Sequence, residues 1–237
     1  MKTFTMTKGL AALALTALAA GCGGYTTGGN FDGLPLAEFD TTGLTPRGVS
    51  LGGVDTLIVT RGDDFTIDVE GDEDATSLVR FNMEDDMLKV GRARGSSRDT
   101  AIINVTLPSV VAASVGGSGR LELDRLSGDA AISVGGSGEA RIGEIDAEAL
   151  KVSVGGSGDL VARGRAKALD LAVGGSGDAD LEGVSVDRAR VAVGGSGDAS
   201  LTSNGQVTGA VGGSGDLRVS GGATCNIKTS GSGSVDC

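Results

Sequence analysis

The chain has 237 residues, no histidine, no tryptophan, and 31 acidic against 20 basic side chains, which gives a formal net charge of −11 at pH 7. The acidic balance argues against nucleic acid as a partner and against unassisted binding to anionic membranes, and the lack of histidine removes the commonest general base and metal ligand. We therefore expect a non-catalytic protein without a cofactor, built as one elongated domain.

The first 21 residues have the pattern of a signal peptide. Lys2 and Lys8 provide positive charge at the start, and the next 12 residues, 9–20, are apolar. This stretch is too short to span a bilayer but has the length of a signal-peptide core. Residues 1–21 are therefore predicted to be removed from the mature protein.

The segment Leu18-Ala19-Ala20-Gly21-Cys22 resembles a bacterial lipobox, in which the cysteine is acylated with fatty acids such as palmitate and becomes the mature N-terminus. The resemblance implies that Cys22 anchors the protein in a membrane, and simple cleavage after Ala-x-Ala is the alternative. Gly23 follows the cysteine where aspartate would favour the inner membrane, so we expect an outer membrane lipoprotein of the bacterial cell envelope.

Residues 22–47 mix glycine, threonine and aspartate with Pro35 and Pro46. This composition predicts a flexible tether.

Residues 48–113 contain short runs in which apolar residues alternate with polar ones, as in half-buried strands. The four predicted strands are Val54–Thr60, Phe65–Val69, Met87–Val90 and Ile103–Leu107. Their irregular spacing leaves two interpretations open. The section forms either the first, irregular coils of a solenoid or a β-cap over its open end.

Residues 114–237 are dominated by a repeat of the tetrapeptide GGSG. Successive copies start 19, 20, 19, 20 and 18 residues apart, and a degenerate copy, Ser230–Gly233, follows after another 18. A fixed period of this length is the signature of a solenoid. The six copies start at Gly116, Gly135, Gly155, Gly174, Gly194 and Gly212.

Short alternating runs flank each tetrapeptide, for example Leu169–Val173 before it and Ala179–Leu181 after it. They predict two or three short strands per coil and no helix. The strict six-residue period of a left-handed helix is missing. We therefore predict an all-β domain at 48–237, a single-stranded right-handed parallel β-helix with about 18–20 residues per coil and an irregular N-terminal section.

The repeated glycines are predicted to form the corners between strands, because sharp bends call for positive φ, which glycine reaches at least cost. On this argument the first glycine of each copy is as constrained as the others. The serine of each copy should stack coil over coil as a ladder of hydroxyls. These hydroxyls either satisfy turn amides and one another or form a ligand-binding stripe.

Four aspartates directly follow the tetrapeptide in successive repeats: Asp159, Asp178, Asp198 and Asp216. Because strands stack at about 4.8 Å, these carboxylates should form a row along the solenoid. Either they splay into water, or they share calcium, for which hard oxygen ligands are suited. We expect no resident metal, with this row as the candidate site if calcium binds.

Cys225 and Cys237 remain after the lipobox cysteine. An even pair in an exported chain predicts a disulfide, and a free or intermolecular thiol is the alternative. A loop of this size would stabilise the fold by about 3 kcal/mol in the chain-entropy model.

This order of elements resembles the putative auto-transporter adhesin, head GIN domain, family. The resemblance rests on the lipobox, the strand pair around Arg61–Phe65, the Met87–Val90 strand, the Ile103–Pro108 strand and the Gly-Ser-Gly-Asp coils, and it covers about residues 48–237. It implies a right-handed β-helix in or on the cell envelope. It supplies no catalytic residue.

The leading functional hypothesis is a lipid-anchored envelope protein with a structural, adhesive or binding role toward an unknown protein or polysaccharide. One alternative is a polysaccharide-binding or polysaccharide-cleaving β-helix, which would need a groove lined by acids with arginine, lysine or aromatic residues. The other is a calcium-responsive envelope scaffold.

Overall fold

The computed structural model describes residues 31–237, so the signal peptide, Cys22 and the first part of the predicted tether lie outside the described residues. Its strands form one sheet that winds into a parallel β-solenoid of about seven turns. The predicted all-β parallel β-helix is thereby confirmed. The strands are β1 Gly48–Leu51, β2 Thr56–Arg61, β3 Thr66–Glu70, β4 Val79–Glu84, β5 Met87–Arg92, β6 Ile102–Leu107, β7 Ala112–Val115, β8 Arg120–Val134, β9 Glu139–Val154, β10 Asp159–Val173, β11 Ala179–Val193, β12 Ala199–Val211, β13 Leu217–Ser220, β14 Thr224–Thr229 and β15 Val235–Asp236.

Strands β8 to β12 each make one coil, bent twice between successive GGSG corners. In β11 the alternation of buried and exposed residues breaks at Glu182–Gly183 and again at Asp187–Arg188, where two exposed residues follow each other. Each break turns the chain onto a new face, because successive residues of a strand otherwise point to opposite sides. A coil therefore has three faces.

The core consists of stacked columns of aliphatic side chains. One column lies just before the corner and a second just after it, where Leu160 pairs with Ala140 on one side and Ala179 on the other. Full burial of one such valine or leucine stabilises the fold by about 1.5–3 kcal/mol. The column before the corner contains Leu51, Val115, Val134, Val154, Val173, Val193 and Val211.

The glycines between the tetrapeptides do not share one bend. Gly143 lies at the first bend of its coil, directly after Ile142. Gly128 lies at the second bend of the preceding coil, where it pairs with Ala147. Shifts of register occur at these bends, between Gly128 and Asp129 and between Ala162 and Gly164. Variation in coil length is absorbed here, and the GGSG corners stay in register.

The N-terminal strands are stacked out of chain order. β1 lies between β5 and β7, and β2 lies between β6 and β8, all in parallel pairs. The later segment β5–β6 is therefore the outermost coil, and β1–β2 is inserted beneath it. Antiparallel strands β3 and β4 cover its two edges, so the section combines irregular coils with a cap.

Four sequence-predicted strands in this section correspond to β2, β3, β5 and β6 within two residues at each end. Strands β1, β4 and β7 were not predicted. A short helix α1, Glu73–Thr76, follows β3, and Asp72 caps it by accepting the N–H of Asp74 at 2.9 Å.

The predicted tether is too long. Leu34 and Phe81 exchange two backbone hydrogen bonds of 2.8 Å, and the rings of Phe39 and Phe81 lie 5.7 Å apart. A 3₁₀ turn, Leu36–Glu38, lies between Leu34 and Phe39. Residues 31–47 thus belong to the cap, because their apolar side chains cover the end of the core.

The corner face as a candidate functional site

The GGSG corners stack through their backbones. The Gly174 N–H donates to the Val154 carbonyl at 2.8 Å, and the Ser176 N–H donates to the Gly156 carbonyl at 2.9 Å. Corresponding bonds recur from coil to coil, down to Ser232 N–H on the Gly213 carbonyl at 3.0 Å. The corners therefore form a continuous, rigid edge of the solenoid.

Glycine is needed in these corners for a different reason than the sequence suggested. None of Gly116, Gly135, Gly155, Gly174, Gly194 and Gly212 has a positive φ, and that conformation occurs instead at glycines of other turns such as Gly128 and Gly164. A Cβ on Gly174 would meet nothing within 4 Å. The expected φ constraint on the first glycine is wrong.

The second and third glycines are constrained by the neighbouring coil. A Cβ on Gly175 would overlap the carbonyl oxygen of Gly156, and one on Gly177 would overlap that of Gly158. Coils approach at strand spacing exactly where this backbone turns, so a side chain has no room. The same overlap recurs at the second and third glycine of every regular corner.

The corner serines present their side chains to water. Ser118, Ser137, Ser157, Ser176, Ser196, Ser214 and Ser232 are all exposed. Their amides bond to glycine carbonyls, and within residues 31–237 no hydrogen bond joins one of these hydroxyls to another. The predicted stacking is present, but backbone groups form the bonded ladder.

The aspartate row is ordered by hydrogen bonds to the main chain. The Asp178 N–H donates to Asp159 Oδ1 at 3.1 Å, Asp198 N–H to Asp178 Oδ1 at 2.8 Å, and Asp216 N–H to Asp198 Oδ1 at 2.8 Å. The row ends at Ser234, whose N–H and hydroxyl both donate to Asp216 Oδ1. These carboxylates are exposed, yet one oxygen of each has a fixed donor.

The four aspartates are exposed to water, as in one of the two arrangements that the sequence left open, but they are not splayed, because one oxygen of each accepts a main-chain N–H. Coils without an aspartate in the preceding coil bond here through the backbone, as Glu139 N–H does to the Gly119 carbonyl at 3.0 Å. In the aspartate coils the carboxylate replaces that carbonyl. At Asp216 the N–H of Ser234, followed by its hydroxyl, holds the pKa of the carboxyl below its ordinary value.

No group of three or more acidic or cysteine side chains in residues 31–237 has an arrangement that could hold a metal ion. Calcium binding by the row stays the alternative to our expectation that the protein holds no resident metal.

The N-terminal part of the row carries mixed charge. Arg120 lies 3.2 Å from Glu139, and Arg141 lies 2.6 Å from the other oxygen of the same carboxylate. In the inserted coil the same position of the row is occupied by Thr56, which pairs with Arg120. An open, shallow, mostly polar groove follows this stretch as far as Asp159.

A buried ion pair between Asp55 and Arg92 was not predicted from the sequence. Asp55 is fully buried, accepts two hydrogen bonds from Arg92, and accepts the Ala101 N–H at 2.8 Å. Arg92 also donates to the Asp99 carbonyl at 2.9 Å. The sequence contained a clue to this residue. Gly52-Gly53-Val54-Asp55 takes the place of the GGSG tetrapeptide in the inserted coil, and Asp55 stands where the other corners have their last glycine.

A second charged cluster lies on the middle face. Arg125 bonds to Glu144 and Asp146 at 3.0 Å each, and Arg165 donates to Asp146 at 2.9 Å. The hydrogen bond from Arg165 is the main reason why the pKa of Asp146 lies below its ordinary value. Arg125 and Asp146 are half-buried, and the bonds join three successive coils, so this cluster stabilises the stacking of the coils.

At the other end, Cys225 in β14 and Cys237 form a disulfide with Cα atoms 6.5 Å apart. The bond ties the last coil to the chain beyond β15. Within residues 31–237 no helix is long and apolar enough to cross a membrane.

Several solved bacterial structures share this fold. A putative adhesin from Bacteroides fragilis NCTC 9343 is 20% identical with a TM-score of 0.75, over 81% of this chain and 92% of that one. A putative adhesin and a putative lipid binding protein from Parabacteroides distasonis ATCC 8503 are 22% and 17% identical, with TM-scores of 0.64 and 0.61 and the same coverage.

No curated protein matches the chain significantly. The profile of the putative auto-transporter adhesin, head GIN domain, family matches residues 45–223, which contain the inserted coil, strands β3 and β4 of the cap, and the GGSG corners up to β13. The chain belongs to this family.

Proposed function

We propose that this protein is a lipid-anchored module of the bacterial cell envelope that binds a protein or polysaccharide partner without converting it chemically. Membership of a family described as adhesin heads supports a binding role, and solved neighbours are described as putative adhesins. The observation that carries the proposal is the regular solenoid itself. The exposed serine of each corner and the aspartate that follows it in four successive coils recur along one edge, so an extended partner meets the same contact several times and gains avidity.

The position of the anchor supports the same function. Phe31 N–H bonds to the Arg92 carbonyl at 2.9 Å, at the capped end of the solenoid. Cys22 lies nine residues earlier in the sequence, which spans at most about 30 Å of extended chain. A lipid on Cys22 would therefore hold the capped end near the membrane, and about seven turns at about 4.8 Å each would extend roughly 35 Å from it.

The anchor is tested by replacing Cys22 with Ser and following membrane partition and N-terminal lipid by mass spectrometry. The mature wild type should fractionate with membranes and carry several acyl chains, since one chain binds only marginally. Cys225→Ser is the matched control and should remain lipidated. A Cys22→Ser protein that still carries N-terminal lipid would refute the anchor.

Binding is tested with intact cells. Protease accessibility measures whether the solenoid faces outward. Purified polysaccharides and proteins are then added to cells with and without the protein, and the amount that each kind of cell retains is measured. We expect retained ligands of unchanged chain length. New reducing ends in a retained polysaccharide would replace this proposal with the cleaving alternative.

A further inference from the structure

The last five residues before each corner form one exposed face of the solenoid, which we call the pre-corner face. It runs over the ends of β8 to β12 and over β14, for example at Leu169–Val173 and Ala189–Val193. Alternate side chains point into the core, so each coil shows two outward residues on this face. These residues form two straight columns, because the strands pair here without a shift of register.

The first column alternates in charge at its centre. Lys151 in β9 pairs with Asp170 in β10, and Asp170 pairs with Arg190 in β11. All three side chains are exposed, and none forms an ion pair with another residue of the range 31–237. On the neighbouring bend, by contrast, Lys167 lies 2.7 Å from Glu148. The column continues with the neutral residues Ala131, Thr208 and Asn226.

The second column leaves these charges without tall neighbours. Its members are serine or alanine in every coil but the last: Ser133, Ser153, Ala172, Ala192, Ala210 and Lys228. The next outward position is the exposed first glycine of the corner, such as Gly174. A second flat surface can therefore approach this face to about the 10 Å that separates packed sheets.

The pre-corner face also differs in charge from the acidic surface of the molecule. Along β8 to β14 it carries the cations Lys151, Arg190 and Lys228 and one acid, Asp170. The chain as a whole has a net charge of −11, and the aspartate row is acidic over four coils. Two copies of this chain therefore repel each other through their acidic surfaces, whereas this face adds no negative charge to the encounter.

We propose that the pre-corner face binds the same face of a second copy, with the two solenoids antiparallel. The two-fold axis of this dimer runs parallel to the strands, between the coils of Asp170 and Arg190. Asp170 of each copy then faces Arg190 of the other, and the small residues Ala172 and Ala192 lie opposite each other beside them. Lys151 faces Thr208, so no like charges meet. The inference concerns self-association and goes beyond the proposed function.

The order of charges selects this arrangement. A two-fold axis along the solenoid would set Asp170 against Asp170 and Arg190 against Arg190, and such like-charge contacts are strongly unfavourable. An axis through the coil of Asp170 would bring Lys151 onto Arg190. An axis one coil nearer the cap would pair Asp170 with Lys151. Arg190 is the better partner, because its planar fork matches a carboxylate with two parallel hydrogen bonds.

The size of the contact predicts a weak dimer. Five residues of strand across six coils cover roughly 17 by 29 Å, so two copies bury roughly 1,000 Å² in total. This area lies at the low end of specific protein interfaces. We therefore expect a reversible equilibrium in which the dimer forms as the protein concentration rises.

Sedimentation equilibrium tests the dimer with the mature chain carrying Cys22→Ser, which excludes association through acyl chains. Salt of about 0.15 M screens charges more than about 8 Å apart. Asp170→Arg and Arg190→Asp should each weaken the dimer at least tenfold, because each sets like charges opposite each other. The double variant Asp170→Arg, Arg190→Asp restores opposite charges across the contact and should dimerise like the parent chain. Ala192→Gln, which adds bulk without charge, should also weaken the dimer about tenfold.

Glu182→Arg is the matched control for Asp170→Arg, because Glu182 is exposed on another bend and the change in net charge is equal. Lys151→Gln is the control on the face itself, since Lys151 meets no carboxylate in this arrangement. Both should dimerise like the parent chain. A parent chain that stays monomeric up to millimolar concentration overturns the proposal. So do single charge reversals that dimerise normally, or a double variant that melts like the parent chain and stays monomeric.

Discussion

Two corners of this solenoid occupy the same stacking position with opposite chemistry. In the regular coils the fourth corner residue is a glycine, such as Gly177, whose missing side chain makes room for the Gly158 carbonyl. In the inserted coil that residue is Asp55, fully buried and bonded to Arg92. The two positions are equivalent in the backbone ladder. The Arg120 N–H donates to the Asp55 carbonyl at 3.0 Å, just as the Glu139 N–H donates to the Gly119 carbonyl.

The difference comes from the neighbouring level, not from the corner. Next to Gly177 lies another corner at strand spacing, so any Cβ overlaps its backbone. Next to Asp55 lies the wider connection between β5 and β6, which leaves space for a carboxylate and brings Arg92 and the Ala101 N–H to it. Residue identity at a corner is thus dictated by the coil against which it stacks.

The largest effect should come from the buried pair. Asp55→Ala leaves Arg92, whose side chain is 14% exposed, without its partner, and breaking a buried ion pair on one side costs about 3–5 kcal/mol. The free energy of unfolding from urea titration measures this. Asp64→Ala, an exposed acid in the turn before β3, should stay within about 0.5 kcal/mol of the wild type. Equal effects of the two changes would show that the buried pair does not stabilise the fold.

The next effect separates the glycines of one corner. Gly175→Ala forces a methyl group against the Gly156 carbonyl and should destabilise the fold by about 1–3 kcal/mol, the usual cost of overpacking. Gly174→Ala adds the same methyl group to open space and should be close to neutral. Thermal unfolding of the two variants tests the assignment. Similar losses in melting temperature would contradict a steric role that depends on position.

Sequence periodicity was sufficient for the repeated part of this fold. The spacing of GGSG and the alternation in runs such as Leu169–Val173 predicted the parallel coils, because both are local patterns. It could not reveal that β1–β2 is inserted beneath β5–β6, since that order depends on long-range pairing. The packing of residues 31–47 on Phe81 was missed for the same reason.

The candidate site was only partly accessible to sequence reasoning. The aspartate row was predicted as a row, but its bonding was not, because a carboxylate accepting the next coil's N–H depends on sub-ångström stacking geometry. Asp55 could have been found by aligning its tetrapeptide with the GGSG copies.

The aspartate row should give a smaller effect. Asp178→Ala removes the acceptor for the Asp198 N–H and should cost about 0.5–1.5 kcal/mol, the net contribution of one hydrogen bond. Asp178→Asn keeps a side-chain oxygen that can accept the same bond, so its loss should be smaller. Unfolding free energies of the two variants make the comparison. Equal losses would mean that charge, not the acceptor, matters at this position.

The same row tests the calcium alternative. We expect millimolar calcium to leave the melting temperature of the wild type almost unchanged. If the row binds calcium only when folded, stability must rise by about 2.7 kcal/mol at a hundredfold excess over the dissociation constant. A calcium-dependent rise that disappears in the Asp178→Asn, Asp198→Asn double variant would establish a calcium-responsive scaffold.

The smallest effect is a pH dependence at the end of the row. The Ser234 N–H and hydroxyl hold the pKa of Asp216 below its ordinary value of 3.8. Because the folded pKa is the lower one, the stabilisation is fully present above about pH 4 and is lost as the pH falls through the folded pKa. Asp216→Asn should therefore unfold with a weaker pH dependence between about pH 4 and pH 2 than the wild type, measured by urea titration. Ser234→Ala removes only the hydroxyl donor and keeps the N–H, so its profile should lie between the two. A Ser234→Ala profile that coincides with that of Asp216→Asn would assign the effect to the hydroxyl alone and take the backbone ladder out of the explanation.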